Sequence, residues 1–233
     1  MLRPVTLREV SVLHVRFLRA GILRGDRTPE AAVRRRVKAA GKKLLRQGTG
    51  RVILPAGISA GDLPEGLCPV GTLPLRRAIA ADWCGQLLRL RGKNPAGARV
   101  LVTANALSGE VVRTVTELAL GNRYVLLDVP YGGDTLANQL RREYGVSLLL
   151  SPTRQQMEEA DVLVLFAART DLRRRDPAVL RLYDEAAPLP PLLLPPVLEG
   201  QMPPGLCRPQ LLAVLVESGV LRPGQITVGT AES

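Results

Sequence analysis

Between Arg99 and Arg169 the chain repeats one pattern, in which a short apolar run is followed by a loop and an amphipathic helical stretch. The apolar runs cover residues 100–103, 124–128, 146–150 and 161–166. Runs that are apolar on both faces suit strands covered on both sides, and strands that alternate with helices form parallel sheets. The sequence therefore predicts a three-layer α/β unit with a mainly parallel sheet, whose core lies in residues 98–167.

The 233 residues, 46% of them hydrophobic, are typical of a globular protein with a substantial core. We predict an N-terminal α/β extension over residues 1–72, either as a separate body or as part of the same domain, and an α/β domain over residues 73–233. Residues 186–206 hold seven prolines, which disfavour regular structure there. A helix is predicted over 74–91. Its apolar stripe consists of Leu75, Ile79, Trp83, Leu87 and Leu90.

Some segments carry weaker or competing signals. Residues 5–22 fit both the alternation of a strand and the spacing of a helix. The pair Asp176-Pro177 predicts the start of a helix that runs through Glu185, because a capping side chain precedes a proline there. The side chains of Ser108 and Asp134 are predicted caps for the two helices that follow the first two strands.

The chain carries a formal charge of +11, which is typical of proteins that bind nucleic acid or acidic partners. A plainer explanation is a GC-rich coding sequence, since only four of the 32 basic residues are lysines. Aromatic residues make up 3% of the chain, too few for a platform on which single-stranded bases stack. Nucleic acid stays a candidate partner because of the positive charge, and one cationic helix would bind it. Its basic residues are Arg34, Arg35, Arg36, Lys42 and Lys43.

The loop after the first strong strand begins at Thr103 and leads into a helix at Ser108 and Gly109. Asp128 ends the next strand, 20 residues beyond Ser108. This order resembles the Rossmann-type dinucleotide-binding domain, in which a pyrophosphate binds at a helix N-terminus and an acidic residue binds the ribose. The loop departs from that pattern because it holds one glycine where the fingerprint has three.

The resemblance implies a site for NAD, another nucleotide or another small anion at the carboxyl edge of the sheet. Ser108 and the amide of Gly109 would donate hydrogen bonds to the anion, and Asp128 would accept one from a ribose hydroxyl. Gly132 and Gly133 would let the second loop pass close to the ligand. The predicted ligand-binding residues are Thr103, Ser108, Gly109, Asp128, Gly132 and Gly133.

The second loop, over residues 126–136, also resembles the loop that begins many S-adenosylmethionine-dependent methyltransferases. Gly132 and Gly133 match its glycines, whereas Pro130 replaces one of them. The next strand ends at Leu150 without the carboxylate that would bind the adenosyl ribose. This resemblance implies a degenerate methyltransferase-like domain as a third alternative, beside a ligand-binding protein and a non-catalytic basic interaction module.

Several other classes of site and location are disfavoured by composition. The three cysteines lack metal-ligand spacing and are odd in number, which disfavours a zinc site and predicts a reducing, cytoplasmic location. His14 is the only histidine, so a histidine-rich metal site is excluded and a catalytic triad would have to recruit it. No apolar run reaches the length of a membrane span.

Overall fold

A computed structural model of the chain describes residues 5–22, 28–55, 57–172 and 178–229. The chain forms two compact units. Unit 1 comprises Met1–Thr72 and Leu194–Gln225, and unit 2 comprises Leu73–Leu193 and Ile226–Ser233. Residues 194–225 therefore group with the N-terminal part of the chain, whereas residues 226–233 group with unit 2. No helix in the described ranges is long and apolar enough to cross a membrane.

Unit 1 begins with an antiparallel hairpin of β1 (Val5–Val12) and β2 (Val15–Ile22). The strand interpretation of residues 5–22 is thus the right one. Leu13 and His14 form the two-residue turn, and both have positive φ, 46° and 68°. Two consecutive residues with positive φ are typical of the turn whose twist matches that of a hairpin.

The hairpin precedes α1 (Glu30–Arg46), whose buried stripe packs inward. The buried residues are Val33, Val37, Ala40, Gly41 and Leu44. Two short parallel strands follow, β3 (Arg51–Val52) and β4 (Cys68–Pro69). Apolar residues at three- and four-residue spacing give α1 one buried face, and its basic residues occupy the rest of its surface.

Unit 2 begins with two helices, α2 (Leu73–Ala78) and α3 (Ala80–Leu90), where one continuous helix is predicted. The chain leaves helical geometry only at Ile79, with φ −101° and ψ 8°. Ile79 and Trp83 are buried, as the apolar stripe predicts. Leu90 is 57% exposed, so its predicted place on the buried stripe is wrong. The stripe ends one turn earlier because Leu90 is the last residue of the helix.

The repeated region forms a five-stranded sheet with every pair of neighbours parallel. The strands are β5 (Arg99–Thr103), β6 (Tyr124–Asp128), β7 (Leu148–Leu150), β8 (Val162–Leu165) and β9 (Val179–Arg181). Their order across the sheet is β7-β6-β5-β8-β9. The connecting helices are α4 (Gly109–Gly121), α5 (Gly133–Tyr144) and α6 (Arg154–Glu158). The predicted α/β class and parallel sheet are confirmed.

The fifth strand, β9, replaces the helix predicted to run through Glu185. Its predicted start at residues 176 and 177 lies outside the described residues. Ala178, Leu180 and Leu182 are fully buried, and the residues between them are half-buried. This two-residue alternation is the signature of a strand, and it prevails over the helix-capping signal because the segment pairs with β8.

Both faces of the sheet are covered. Successive residues of β5 point to opposite sides, and Val100, Leu101 and Val102 are all fully buried. On one side, Leu101 belongs to a cluster with Met157 of α6. Helices α3 and α4 pack against β8 and β6. The doubly apolar runs of the sequence are therefore explained by helices on both sides.

The rest of the chain completes both units. In unit 2, β10 (Leu192–Leu193) pairs antiparallel with β11 (Thr227–Val228). In unit 1, α7 (Pro196–Glu199) and α8 (Arg208–Glu217) follow. An ion pair joins Arg51 of β3 to Glu217 of α8, with 3.0 Å between Nη1 and Oε2. The proline-rich stretch thus holds one two-residue strand and one short helix.

Replacing Trp83 with alanine tests the buried face of α3. The indole is 9% exposed, so its removal leaves a cavity and loses buried apolar area. We expect the free energy of unfolding to fall by roughly 3–5 kcal/mol. Urea denaturation followed by far-ultraviolet circular dichroism measures this change, and a loss below about 1 kcal/mol would contradict the burial of the side chain.

Candidate functional site

The strand order places the candidate site at the carboxyl edge of the sheet. From β5 the chain passes to β6 and β7 on one side, and then returns to β8 and β9 on the other. The order therefore reverses between β5 and β8. In open parallel sheets this reversal opens a crevice outside the carboxyl ends of the strands, and ligands bind there. The loops after β5 and β6, and residues 166–172 after β8, lie at that edge.

Thr103 ends β5 in the middle of this edge. Register places it between Asp128 of β6 and Leu165 of β8. Its carbonyl accepts a hydrogen bond from the Phe166 N–H at 2.9 Å. Its side chain is 1% exposed, and its hydroxyl has no hydrogen-bond partner among the described residues. A buried hydroxyl without a partner costs about 1–3 kcal/mol, so Thr103 supplies an unused polar group at the centre of the edge.

Ser108 caps α4, as the sequence predicts. Its Oγ accepts a hydrogen bond from the Val111 N–H at 3.3 Å. The hydroxyl hydrogen of Ser108 stays available to a ligand. A Cβ added to Gly109 would meet no atom within 4 Å, so the space beside the first turn is open. The N-terminus of a helix carries a partial positive charge and free N–H groups, which suit an anion.

The loop after β6 packs directly on the loop after β5. Gly132 has φ 82° and is the N-cap of α5. The predicted cap is Asp134, so the helix begins two residues earlier than the sequence predicts. A Cβ on Gly132 would lie 2.9 Å from Cδ1 of Leu107. A Cβ on Gly133 would lie 3.3 Å from Cγ2 of Val129. Contacts within the protein therefore explain both glycines without a ligand.

Asp128 is engaged by a residue that the sequence does not single out. Arg169, in the loop after β8, donates a hydrogen bond to Asp128 Oδ2. It also donates to Asp171 through Nε and Nη2, at 2.8 Å each. Its Nη2 lies 3.8 Å from Sδ of Met157. The Arg169 side chain thus connects the ends of β6 and β8 and packs on α6.

The pKa values of Arg169 and Asp171 reflect their pairing. The hydrogen bonds to Asp171, followed by those to Asp128, raise the pKa of the Arg169 guanidinium. The same bonds lower the pKa of Asp171 to about 2. Arg169 and Asp171 are therefore ionised at neutral pH, and the trio of Asp128, Arg169 and Asp171 has a formal charge of −1. No sequence motif marks Arg169, because it is one arginine among many in a loop.

A second arginine, Arg77 of α2, reaches the same edge. Its Nη1 pairs with Glu110 Oε2 at 2.7 Å, in the first turn of α4. Its Nε donates to the carbonyl of Leu182, just after β9, at 3.2 Å. Its own carbonyl accepts from Arg113 at 3.2 Å. Arg77 therefore places a cation beside the N-terminus of α4, although Glu110 offsets its charge.

The six predicted residues lie on two neighbouring strand ends and the loops that follow them. The register aligns Thr103 with Asp128, so their side chains point to the same side of the sheet. Gly132 meets the β5–α4 loop through Leu107. The arginine run at 173–175, which the sequence also places near this edge, lies outside the described residues. His14 lies in the hairpin turn of unit 1. No cluster of three or more potential metal-binding side chains occurs in the described ranges.

Comparison with known proteins adds little to this geometry. No family model matches the chain. No curated protein matches it either. Among solved structures, the chain is similar to the L-tryptophan dehydrogenase from Nostoc punctiforme, with a TM-score of 0.28 and 15% identity. The match covers 64% of this chain and 44% of that protein, so this chain spans less than half its length. The Rossmann-like assignment rests on the strand order and the parallel pairing of the sheet itself.

Two glycine substitutions separate backbone requirements at this edge. Replacing Gly132 with alanine should lower the free energy of unfolding by about 1–3 kcal/mol, because φ is positive and the Cβ meets Leu107. Replacing Gly109 with alanine should change it by less than about 1 kcal/mol, because the Cβ enters open space. Chemical denaturation of both variants measures the difference. Equal losses would contradict the loop packing described here.

The pairing of Arg169 also has a titration test. Replacing Arg169 with glutamine should raise the pKa of Asp171 from about 2 towards its ordinary value of 3.8. In the native protein the depressed pKa stabilises the fold above about pH 4, and this contribution is lost as the pH falls towards 2. Carboxyl chemical shifts recorded by NMR against pH measure both values. An unshifted Asp171 in the native protein would contradict the ion pair.

Proposed function

We propose that the protein binds a nucleotide at the carboxyl edge of the five-stranded sheet. The observation that carries this proposal is the Thr103 hydroxyl, which is buried at the end of the central strand with no partner among the described residues. Proteins pair nearly all their buried polar groups, and an unpaired group at a strand end is explained if a ligand completes it. A ribose or phosphate oxygen would supply the missing hydrogen bond once the protein atoms that cover the Thr103 hydroxyl move aside.

The N-terminus of α4 receives the phosphate in this proposal. Helix α4 has 13 residues and begins at Gly109, so its dipole presents positive charge to the edge. The open space beside Gly109 lets a phosphate oxygen approach the first N–H groups. The Ser108 hydroxyl donates a further hydrogen bond. The contribution of Arg77 is smaller, because Glu110 shares its charge.

Asp128 and its partners determine which nucleotide is preferred. The trio of Asp128, Arg169 and Asp171 has a formal charge of −1. A ribose with free hydroxyls can donate to Asp128, whereas a 2′-phosphate meets a second negative charge there. The proposal therefore favours NAD over NADP. S-adenosylmethionine is the alternative ligand from the methyltransferase resemblance, but the strand end after β7 offers Ser151 rather than a carboxylate.

Titration of the protein with NAD, NADP, ATP and S-adenosylmethionine tests the proposal. We expect NAD to raise the melting temperature more than the other three compounds. A ligand at about 100 times its Kd stabilises the native state by about 2.7 kcal/mol, which is enough to be seen as a shift in melting temperature. Replacing Thr103 with valine should weaken NAD binding by roughly 2- to 10-fold, the value of one hydrogen bond. The same substitution should leave the unliganded protein as stable or more stable, because it removes an unpaired hydroxyl.

Thr116→Val is the matched control. The Thr116 hydroxyl donates to the Val112 carbonyl at 2.8 Å within α4, so its loss should leave NAD affinity unchanged. Isothermal titration calorimetry on the three proteins gives the affinities. The proposal fails if none of the four compounds binds, or if Thr103→Val binds NAD as tightly as the native chain. Tighter binding of S-adenosylmethionine than of NAD would overturn the dinucleotide assignment.

A further inference from the structure

The net charge of the chain is concentrated in unit 1. Each unit contains 16 lysine and arginine residues, but unit 1 has 7 acidic residues and unit 2 has 14. Unit 1 therefore carries +9 of the total of +11, and unit 2 carries +2. A coding bias towards arginine would raise the basic content of both units and does not account for the shortage of acids in one. The excess positive charge of unit 1 therefore comes from its shortage of acidic residues.

Helix α1 presents a row of exposed cations opposite its buried stripe. Arg35, Lys42 and Arg46 are exposed and separated by seven and four residues, which places them on one face of the helix. The 11 steps from Arg35 to Arg46 span about 16 Å at 1.5 Å per residue. These cations form no ion pair among the described residues. They therefore form a straight line of uncompensated charge.

Other basic residues of α1 are already engaged. Arg34 pairs with Glu30 at 3.8 Å and with Asp62 at 3.4 Å. Lys38 lies close enough to Asp62 to help lower the pKa of that carboxyl, after the larger effect of the Ser59 hydrogen bonds. Arg36 is only half-exposed. The structure thus divides the cationic residues predicted from the sequence, and it leaves Arg34 and Arg36 outside the exposed row.

The hairpin extends this row with a pair of like charges. Arg8 and Arg19 lie directly opposite each other in the register of β1 and β2, and both are exposed. Like charges in this arrangement destabilise a hairpin. Glu9 cannot relieve them, because neighbouring residues of a strand point to opposite faces. An anion bound between the two arginines would remove the repulsion.

A groove connects the hairpin to α1. Arg8, Lys43 and Arg46 line a groove of about 710 Å³ between β1 and the end of α1. Lys43 also donates to the carbonyl of Val5 at 3.0 Å, which holds its ammonium group at the groove. The groove therefore joins the two sets of cations into one surface. We call this surface the basic face, and it consists of Arg8, Arg19, Arg35, Lys42, Lys43 and Arg46.

We propose that the basic face binds the phosphate backbone of double-stranded nucleic acid. A line of cations with no acid between them matches a regularly spaced chain of phosphates. Exposed large hydrophobic side chains, which would enter a lipid bilayer, are absent from the described parts of the hairpin and of α1. The low aromatic content disfavours stacking on single-stranded bases. Recognition through phosphates alone is independent of base sequence.

Salt dependence tests this proposal on the full chain. Fluorescence anisotropy with a labelled DNA duplex of about 20 base pairs should show binding that weakens roughly 10³-fold between about 50 and 200 mM salt, as expected for six phosphate contacts. Arg8→Ala/Arg19→Ala should make the slope of log Kobs against log salt less steep by about 2, since each contact contributes about 0.9. Arg8→Lys/Arg19→Lys keeps both charges and should retain the native slope.

Arg141→Ala/Arg142→Ala is the matched control. It removes the same charge from exposed residues of α5 in unit 2, and its slope should stay within about 0.5 of the native value. Thermal melting should show Arg8→Ala/Arg19→Ala to be no less stable than the native chain, because a like-charge pair is removed. The proposal is overturned if the duplex does not bind, or if Arg8→Ala/Arg19→Ala and Arg141→Ala/Arg142→Ala lose binding equally. Tighter binding of polyglutamate or of phosphatidylserine vesicles would assign the face to an acidic protein or a lipid surface instead.

Discussion

Burial of β5 on both faces and along both edges is the constraint on which the architecture of unit 2 depends. Its neighbours β6 and β8 take up its main-chain hydrogen bonds on both sides. Its side chains Val100, Leu101 and Val102 are covered by helices. Polar side chains are therefore excluded from the middle of the strand and occur at its end. Thr103 stands at that end, which is why the one unsatisfied hydroxyl of the central strand coincides with the reversal of strand order.

The sequence predicts those features that depend on neighbouring residues. The strand β5 and the Ser108 cap follow from local hydrophobicity and from one side chain at the right offset, and both are present. Arg77 and Arg169 could not be predicted, because each meets carboxylates 33 and 41 residues away along the chain. Strand β9 was obscured by a capping signal and by the apolar residues Val179 and Tyr183, which hide in the sequence the alternation that burial shows in the structure.

Charge illustrates a second limit of composition. The two units hold equal numbers of basic residues, yet they use them differently. In unit 2, Arg77, Arg99 and Arg169 pair with carboxylates and fasten loops to strand ends. In unit 1, the cations of α1 and the hairpin mostly face solvent. A total charge cannot distinguish an arginine that pairs within the fold from one that faces solvent. The positions of the acidic residues separate the two.

The Arg169 side chain has a consequence for the energetics of ligand capture. By joining Asp128, Asp171 and the sulfur of Met157, it links residues 166–172, the described part of the loop after β8, to the end of β6 and to α6. A disordered loop must lose conformational entropy when it closes on a ligand, and that loss subtracts from affinity. In the described part of this loop, the bonds of Arg169 already restrict that freedom. If a ligand hydroxyl takes the place of the guanidinium at Asp128, as the proposed function requires, the two bonds from Arg169 to Asp171 keep the guanidinium paired.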